Sequence, residues 1–525
     1  MNKPLAKILV VDNDPTVGAD LEEMLATIGY EVQVTPGNGM DLINNAIAIG
    51  HTFRPHVVIL DLRLLDDYSD ETSGLQLLEP LSSARCILYS AHLTPGVTRD
   101  ARKFGAHEWL NKADAPEFLL DIINEATSRL SSYARNWVVR WPESWRMDIV
   151  LQQIFTQATE VEAAVLNDLL VQLFPQQQTL YISTVSGAVI TMTSPSNRRS
   201  VVLKVTPDDQ EPQIVKFAEA QQIRDEARNY ERYVRNRLVG HFHTHLERSV
   251  QFWDVGAALY NFLGTPLNTI WPFSAFYAEQ KDTETILKPL HHFFSEVWQR
   301  NYRERSLLGQ SLYNHYQERF GLEEKLARPV TRELKLRLQL SGLPFEDPIA
   351  WMQRHHESSA FPDALIAIVH GDLHGDNLFV DGRYSWAIDF ERTGPSHMLR
   401  DFAEMELDLL ARLTPLPTDP LPHQGGFHPQ FVELVKFLMD AHFLSPEAQT
   451  HHLQKIGVPE FHKAASTVLG LRTIAKTVTL YQNPREYLWA TLFDALFAAC
   501  MNSTTTERRE RAYLVAALIC DRLKR

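Results

Sequence analysis

Residues 56–64 read HVVILDLRL. Four consecutive apolar residues lead into one carboxylate, Asp61. A short uninterrupted apolar run of this kind is the signature of a strand buried on both faces, as in a parallel sheet covered by helices. Working outward, the same pattern recurs upstream in KILVVD (7–12) and EVQVTP (31–36), and downstream in CILYSA (86–91) and HEWLNK (107–112). Amphipathic stretches separate these runs: PTVGADLEEMLATIG (15–29), a helix between EVQVTP and HVVILD, GLQLLEPL (74–81), a helix between CILYSA and HEWLNK, and APEFLLDIINEATSRL (115–130). Five strands alternating with five helices predict a doubly wound parallel α/β domain, with reactive groups at the carboxyl ends of the strands.

Those strand ends carry chemistry. Asp12, Asn13 and Asp14 follow the first strand, Asp61 ends the third, Ser90 the fourth and Lys112 the fifth. Phosphoryl transfer to an aspartate requires a carboxylate nucleophile, a divalent cation and a positive charge for the developing oxyanion. In this order and spacing, residues 7–130 resemble the response-regulator receiver family. The resemblance implies a flavodoxin-like five-stranded fold. It also implies Asp61 as phospho-acceptor, Mg2+ held by Asp12 and Asp61, Ser90 as the hydroxyl that swings to the phosphoryl group, Lys112 as counter-charge, and Trp109 as the aromatic switch. A sensor histidine kinase is the implied partner. The sequence departs from the family in three places. The acidic pair is Asp12–Asn13, which lowers the charge available to the cation. The loop after Asp61 lacks proline and carries Asp66, Asp67, Asp70 and Glu71. Ala113 follows Lys112 where proline is usual.

A second segment, IVHGDLHGDNLFV (368–380), supplies a different set of groups. Transfer from ATP needs a carboxylate to orient the attacking hydroxyl, an amide oxygen to hold magnesium, and a second carboxylate between metal and phosphates. Asp372, Asn377 and, in SWAIDFE, Asp389 are the candidates, with His370 bracing the loop. Together with TGPSH (393–397) and Arg400-Asp401-Phe402-Ala403, the pattern resembles the aminoglycoside phosphotransferase and choline kinase family over residues 179–412. That resemblance implies an α+β bilobal protein-kinase-like domain with a large helical C-lobe, and Asp401 as a structural hydrogen-bond partner. It implies a phosphate-positioning lysine and a helix glutamate in the N-lobe. Lys216, in QIVKFAE, is preferred over Lys204 because it lies directly before a helix, and Glu226 is preferred over Glu231. Ser186 and Gly187, in ISTVSGAVI, form the candidate phosphate loop for ATP, which holds a single glycine.

The expected organisation is a receiver at 1–130, a Trp-rich and helical connector at 131–178, an N-lobe at 179–265 and a C-lobe at 266–525. In the connector, Trp137, Trp141 and Trp145 precede an amphipathic stripe of Val150, Ile154, Val161, Val165 and Leu169, expected to pack on the next domain. A homodimer through this stripe is the competing reading. The chain has 525 residues and a net charge of −14, from 51 basic and 65 acidic side chains. That balance argues against nucleic acid and anionic membranes as partners. Three scattered cysteines support neither a disulfide framework nor a zinc site. No signal peptide or membrane span is read, so a cytoplasmic location is expected. HFHTH (241–245) places three histidines on one face if extended, but it lacks a fourth ligand and is read as a surface connection. The predicted function is a two-component phosphotransferase acting on a hydroxyl of a small molecule or protein. The alternative is a nucleotide-sensing or scaffold module with negligible turnover.

Overall fold

A computed structural model of the chain describes residues 4–65, 71–134, 137–142, 147–155, 164–185, 190–193, 199–208, 210–238, 244–262, 269–416, 427–501 and 505–525. The chain divides into two compact units. The first comprises Met1–Thr184, Ser200–Arg224 and Glu247–Leu259; the second comprises Val185–Arg199, Asp225–Leu246 and Tyr260–Arg525.

The first unit opens with a parallel sheet of β1 (Lys7–Val11), β2 (Glu31–Val34), β3 (Val57–Leu60), β4 (Arg85–Tyr89) and β5 (Glu108–Leu110), in the order β2-β1-β3-β4-β5. The central strands are the most apolar because both of their faces are covered; every residue of β3 is buried. Four α-helices accompany them: α1 (Pro15–Ile28), α2 (Gly39–Phe53), α3 (Pro95–Lys103) and α4 (Pro116–Leu130). Local chemistry sets the start and stop of α1. Asp14 caps its first turn by accepting from Thr16 N, Pro15 opens it, and Gly29 ends it at φ 112°. Leu21 and Leu25 of α1 pack with Leu119, Ile123 and Ala126 of α4 against Ile8, Val10 and Ile59.

The expectation of a fifth helix is corrected between β3 and β4. Among the described residues that position holds only a 3-10 helix, Ser73–Leu77, followed by turns. Two residues explain this. A Cβ on Gly74 would sit 2.2 Å from the Asp61 carbonyl oxygen, so the segment is pressed against the end of β3. Pro80 lacks the N–H needed to continue an α-helical ladder.

Most of a second sheet also belongs to this unit. Its strands run in the order Thr244–Phe252, Val255–Phe262, Gln213–Glu219, Arg199–Pro207, Thr179–Ser183 and Val138–Arg140. The Trp-rich stretch therefore contributes an edge strand, parallel to Thr179–Ser183. Trp141 Nε1 donates to Asn167 Oδ1 at 3.0 Å; Trp145 lies outside the described residues. The expected single helix is described as two, Met147–Ile154 and Val165–Leu173. Val150, Ile154, Val165 and Leu169 are buried, and Val161 lies outside the described residues.

The turn of the hairpin Thr244–Phe252/Val255–Phe262 meets the amino-terminal end of β3. Trp253 is buried, donates from Nε1 to Pro55 O at 3.1 Å, and places its ring edge-on to His51. Asp254 pairs with Arg54 at 2.8 Å, and Phe252 stacks on His56. Lys7 N donates to His56 Nδ1 at 3.1 Å, so the ring proton lies on Nε2, which contacts buried Asp168 at 2.8 Å. Arg54 and Trp253 both have φ 53°, a left-handed conformation that L-residues adopt only when their surroundings hold it.

Among the described residues the second unit is mostly helical, with two small sheets. Leu365–Val369 lies between Ser306–Leu307 and Gly394–His397. Leu378–Val380 lies between Trp271–Pro272 and Ser385–Ala387. The helix Pro484–Ala499 is buried nearly all round, including Tyr487, Trp489 and Phe493, as befits a helix at the centre of a bundle.

Candidate functional site

In the first unit, adjacency of β1, β3, β4 and β5 brings Asp12, Asp61, Ser90 and Lys112 to one sheet edge. Lys112 Nζ lies 2.7 Å from Asp12 Oδ2 and 2.7 Å from Asp61 Oδ2. The remaining carboxylate oxygens are held by backbone: Asp14 N donates to Asp12 Oδ1 at 2.9 Å, and Leu62 N to Asp61 Oδ1 at 2.6 Å. Burial raises the Asp12 carboxyl above its ordinary value, against the opposing pull of Lys112. Burial alone would depress the Lys112 ammonium, yet the two carboxylates outweigh it and its pKa is raised. Ser90 is fully buried, and its carbonyl accepts from Lys112 N at 3.3 Å. Trp109 is half-buried, beneath the Arg102 guanidinium at 5.3 Å from the ring centre. Asp66, Asp67 and Asp70 lie outside the described residues, whereas Glu71 accepts from Leu64 N at 2.7 Å. The donor set suits Mg2+. Two carboxylates converge, each oxygen retains a further lone pair, and hard oxygen ligands are what this cation takes.

In the second unit the loop 370–377 is fixed almost entirely through its backbone. Asp401 accepts from His370 N at 2.8 Å, Gly371 N at 2.9 Å and Tyr302 Oη at 2.7 Å. Glu404 accepts from Leu373 N at 3.0 Å, and Asp408 from Gly375 N at 2.9 Å. These three acids come from one helix, Arg400–Asp408, and hold three consecutive parts of the loop. Gly371 is required, because at φ 82° a Cβ would lie 2.5 Å from Arg392 O. His370 is buried, with Nε2 3.0 Å from Ile388 O, and packs against Trp298 and Phe390. It braces the loop.

Asp372 is buried, and desolvation pushes its carboxyl up to about 6 despite the nearby Arg392. Asn377 Nδ2 donates to Asp372 O at 2.7 Å, which orients the amide and leaves Oδ1 buried with no hydrogen-bond partner. A buried amide oxygen without a donor is costly, and a cation ligand would satisfy it. Ile388 N bonds Asn377 O at 3.0 Å, so Asp389 and Asn377 flank the end of one two-stranded ladder. Asp389 adopts φ 69°. Asn377 and Asp389 thus suit an oxygen-seeking cation such as Mg2+. Glu226 accepts from Tyr260 Oη and from Phe390 N, at 3.2 Å for the latter, which ties it to the residue after Asp389.

Lys216 belongs to the first unit. It is fully buried in the strand Gln213–Glu219, opposite Val202. Ser186 and Gly187 lie outside the described residues, as do His241 and His243.

Sequence reasoning missed Glu404, Asp408 and the ion pairs around Asp376. Arg412 bridges Asp408 at 2.6 Å and Asp376 at 2.7 Å, and Ser274 Oγ donates to Asp376. The signal was available: Asp401, Glu404 and Asp408 recur at i, i+3 and i+7, which places three acids on one helix face.

The family described as "Ternary complex associated domain 9" matches residues 326–502. No curated protein matches the chain. Three solved structures similar to its N-terminal part are receiver domains. One is the response regulator receiver domain protein (CheY-like) from Methanospirillum hungatei, at 22% identity, covering 23% of this chain and 92% of that one, with a TM-score of 0.20. Another is the BeF3-activated N-terminal receiver domain of RstA from Klebsiella pneumoniae, at 22% identity, 23% and 97% coverage, and TM-score 0.20. A third is the signal receiver domain of a modulated diguanylate cyclase from Desulfovibrio desulfuricans, at 20% identity, 23% and 93% coverage, and TM-score 0.20. The first β1–β5 sheet, by its all-parallel strand order, is a receiver-like α/β fold. Among the described residues, no helix is long and apolar enough to cross a membrane.

Proposed function

We propose that this chain is a cytoplasmic two-component signalling protein. In this reading, phosphorylation of Asp61 by a sensor histidine kinase regulates an ATP-dependent phosphotransferase carried by the kinase-like part. The observation that carries the reading is Lys112 Nζ lying 2.7 Å from both Asp12 and Asp61 at one edge of a parallel sheet. In the proposed step, an Asp61 carboxylate oxygen attacks the phosphorus of a phosphohistidine. The P–N bond breaks, the imidazole leaves with a proton from solvent, and an acyl phosphate forms. Lys112 offsets the negative charge added there, and Ser90 supplies a hydroxyl on the neighbouring strand. Mg2+, when bound, would neutralise charge on the transferring phosphoryl oxygens.

For the kinase-like part, we assign Asp372 to the acceptor hydroxyl, and Asn377 and Asp389 to the cation. Lys216 and Glu226 are assigned to phosphate positioning. The buried, unpartnered Asn377 Oδ1 and the raised Asp372 carboxyl support these roles. The glycine-poor stretch 182–190 favours a second reading, a nucleotide-sensing module with negligible turnover. The two are separated by ATP turnover measured with Mg2+ for the native chain, Asp372→Ala and Asp389→Ala. Turnover lost in both variants supports the enzyme; ATP binding without turnover in the native chain supports the sensor. The receiver assignment is tested by labelling with a small phosphodonor, and undiminished labelling of Asp61→Asn refutes it.

A further inference from the structure

A cavity of about 730 Å3 opens in the second unit between the helices Pro429–Ala441 and Pro446–Leu453 and the start of Pro459–Thr479. No residue of the 370–377 loop lines it. Its size falls within the range of small-molecule sites, and its lining is mixed: Leu434, Phe437, Phe443, Leu444, Ile456 and Phe461 form an apolar part, beside polar side chains that include Gln430 and His452. Leu434 and Phe461 are buried, whereas Phe443 keeps 42% of its surface exposed.

The charges around the mouth are unevenly satisfied. Lys436 pairs with Glu433 at 2.7 Å, and Arg522 pairs with Asp440 at 2.9 Å while lying 3.9 Å over the Phe443 ring. Each lining acid is therefore matched by its own base. Lys455 also lines the cavity, and among the described residues it lies within ion-pair distance of no carboxylate. The cavity thus combines an apolar part of its lining with one surplus lysine charge.

We infer that this cavity binds the free monomeric form of a single-chain amphipathic anion, such as a medium-chain carboxylate. The chain enters between Phe437, Phe443 and Ile456, and the carboxylate pairs with Lys455. This inference is independent of the phosphotransferase reading, since it uses none of those residues.

The test is calorimetric titration of the full-length protein with octanoate, decanoate and dodecanoate below their micellar concentrations. One site per chain is expected, tightening about fourfold for each added CH2 until the cavity is filled. Lys455→Glu is expected to weaken decanoate at least tenfold, and Ile456→Trp, which fills the cavity from its half-exposed wall, to abolish binding. Both variants should keep the native far-UV circular dichroism and melting temperature without ligand. Decyltrimethylammonium and octyl glucoside serve as cationic and neutral probes and should bind more weakly than the matched carboxylate. The inference is overturned by any of the following: no saturable site, affinity independent of chain length, indifference to Lys455→Glu, or stronger binding of the cationic probe. Co-sedimentation with vesicles containing anionic lipid, without binding of monomeric dodecanoate, overturns it in favour of a bilayer surface.

Discussion

Removing the indole of Trp253 tests how firmly the receiver-like sheet is joined to the second sheet of its unit. Trp253 is only 5% exposed, and its Nε1 bonds Pro55 O at 3.1 Å. Its ring also fills space that Gly50 leaves on α2: a Cβ at Gly50 would lie 3.1 Å from Trp253 Cη2 and 2.5 Å from Leu81 Cδ2. Truncation of a buried tryptophan to alanine costs about 3–5 kcal/mol, part of it the carbonyl left without its donor. The contact sits at a hairpin tip that can settle inward, so the lower end, about 3 kcal/mol, is expected for Trp253→Ala. The Arg54–Asp254 pair adds little, because Asp254 is 43% exposed and exposed pairs contribute about 0–1 kcal/mol. Cys86 provides the assay. It is buried on β4, with burial pushing its thiol up to about 12, so a thiol reagent reaches it only when the receiver-like fold opens. A loss of about 3 kcal/mol corresponds to roughly 100-fold faster labelling of Cys86, read by peptide mapping under conditions where reclosing outpaces labelling. Gly50→Ala should destabilise the native chain, although alanine is the better helix former, and should cost less in the Trp253→Ala background. Less than fivefold acceleration of Cys86 labelling in Trp253→Ala would refute the joint as described.

Other outcomes follow from the two candidate sites. Asp61→Asn is expected to abolish phosphodonor labelling, measured by mobility shift on phosphate-affinity gels. Asp372→Asn is expected to stabilise the protein at pH 8 by about 3 kcal/mol in urea denaturation without Mg2+, since the carboxyl is raised from 3.8 to about 6 by burial. The sign follows from proton binding: between about pH 4 and 6 the folded state holds the proton more tightly, so the native chain loses stability as pH rises through that window and the advantage of asparagine vanishes below it. Gly371→Ala should destabilise by at least 1–3 kcal/mol on the order expected for a strained φ plus a backbone clash, read in the same denaturation. Asn377→Leu should keep the fold but remove the Mg2+-dependent part of any ATP-induced rise in melting temperature, and an unchanged rise would exclude Asn377 as a ligand.

The apolar run before Asp61 and its four counterparts determined the parallel sheet, because period and composition are local properties that a chain displays in its own order. The carboxylate, hydroxyl and lysine at the strand ends were likewise legible, since a parallel sheet places all its carboxyl ends on one edge. Asp401 as a hydrogen-bond acceptor for the loop was legible from its motif. The sequence misjudged the segment 74–81, where the 3.6-residue pattern was real but close approach at Gly74 and the missing N–H of Pro80 limited it to a 3-10 helix. It did not show that the Trp-rich stretch becomes an edge strand, nor that Trp253 and Asp254 meet Arg54 and Pro55 across some 200 positions of chain. Contacts of that separation depend on which surfaces the packed elements present, and no local pattern encodes them. The elevated carboxyl of Asp372 belongs to the same class: an aspartate in a polar-looking HGD loop acquires its chemistry only when folding removes water from around it.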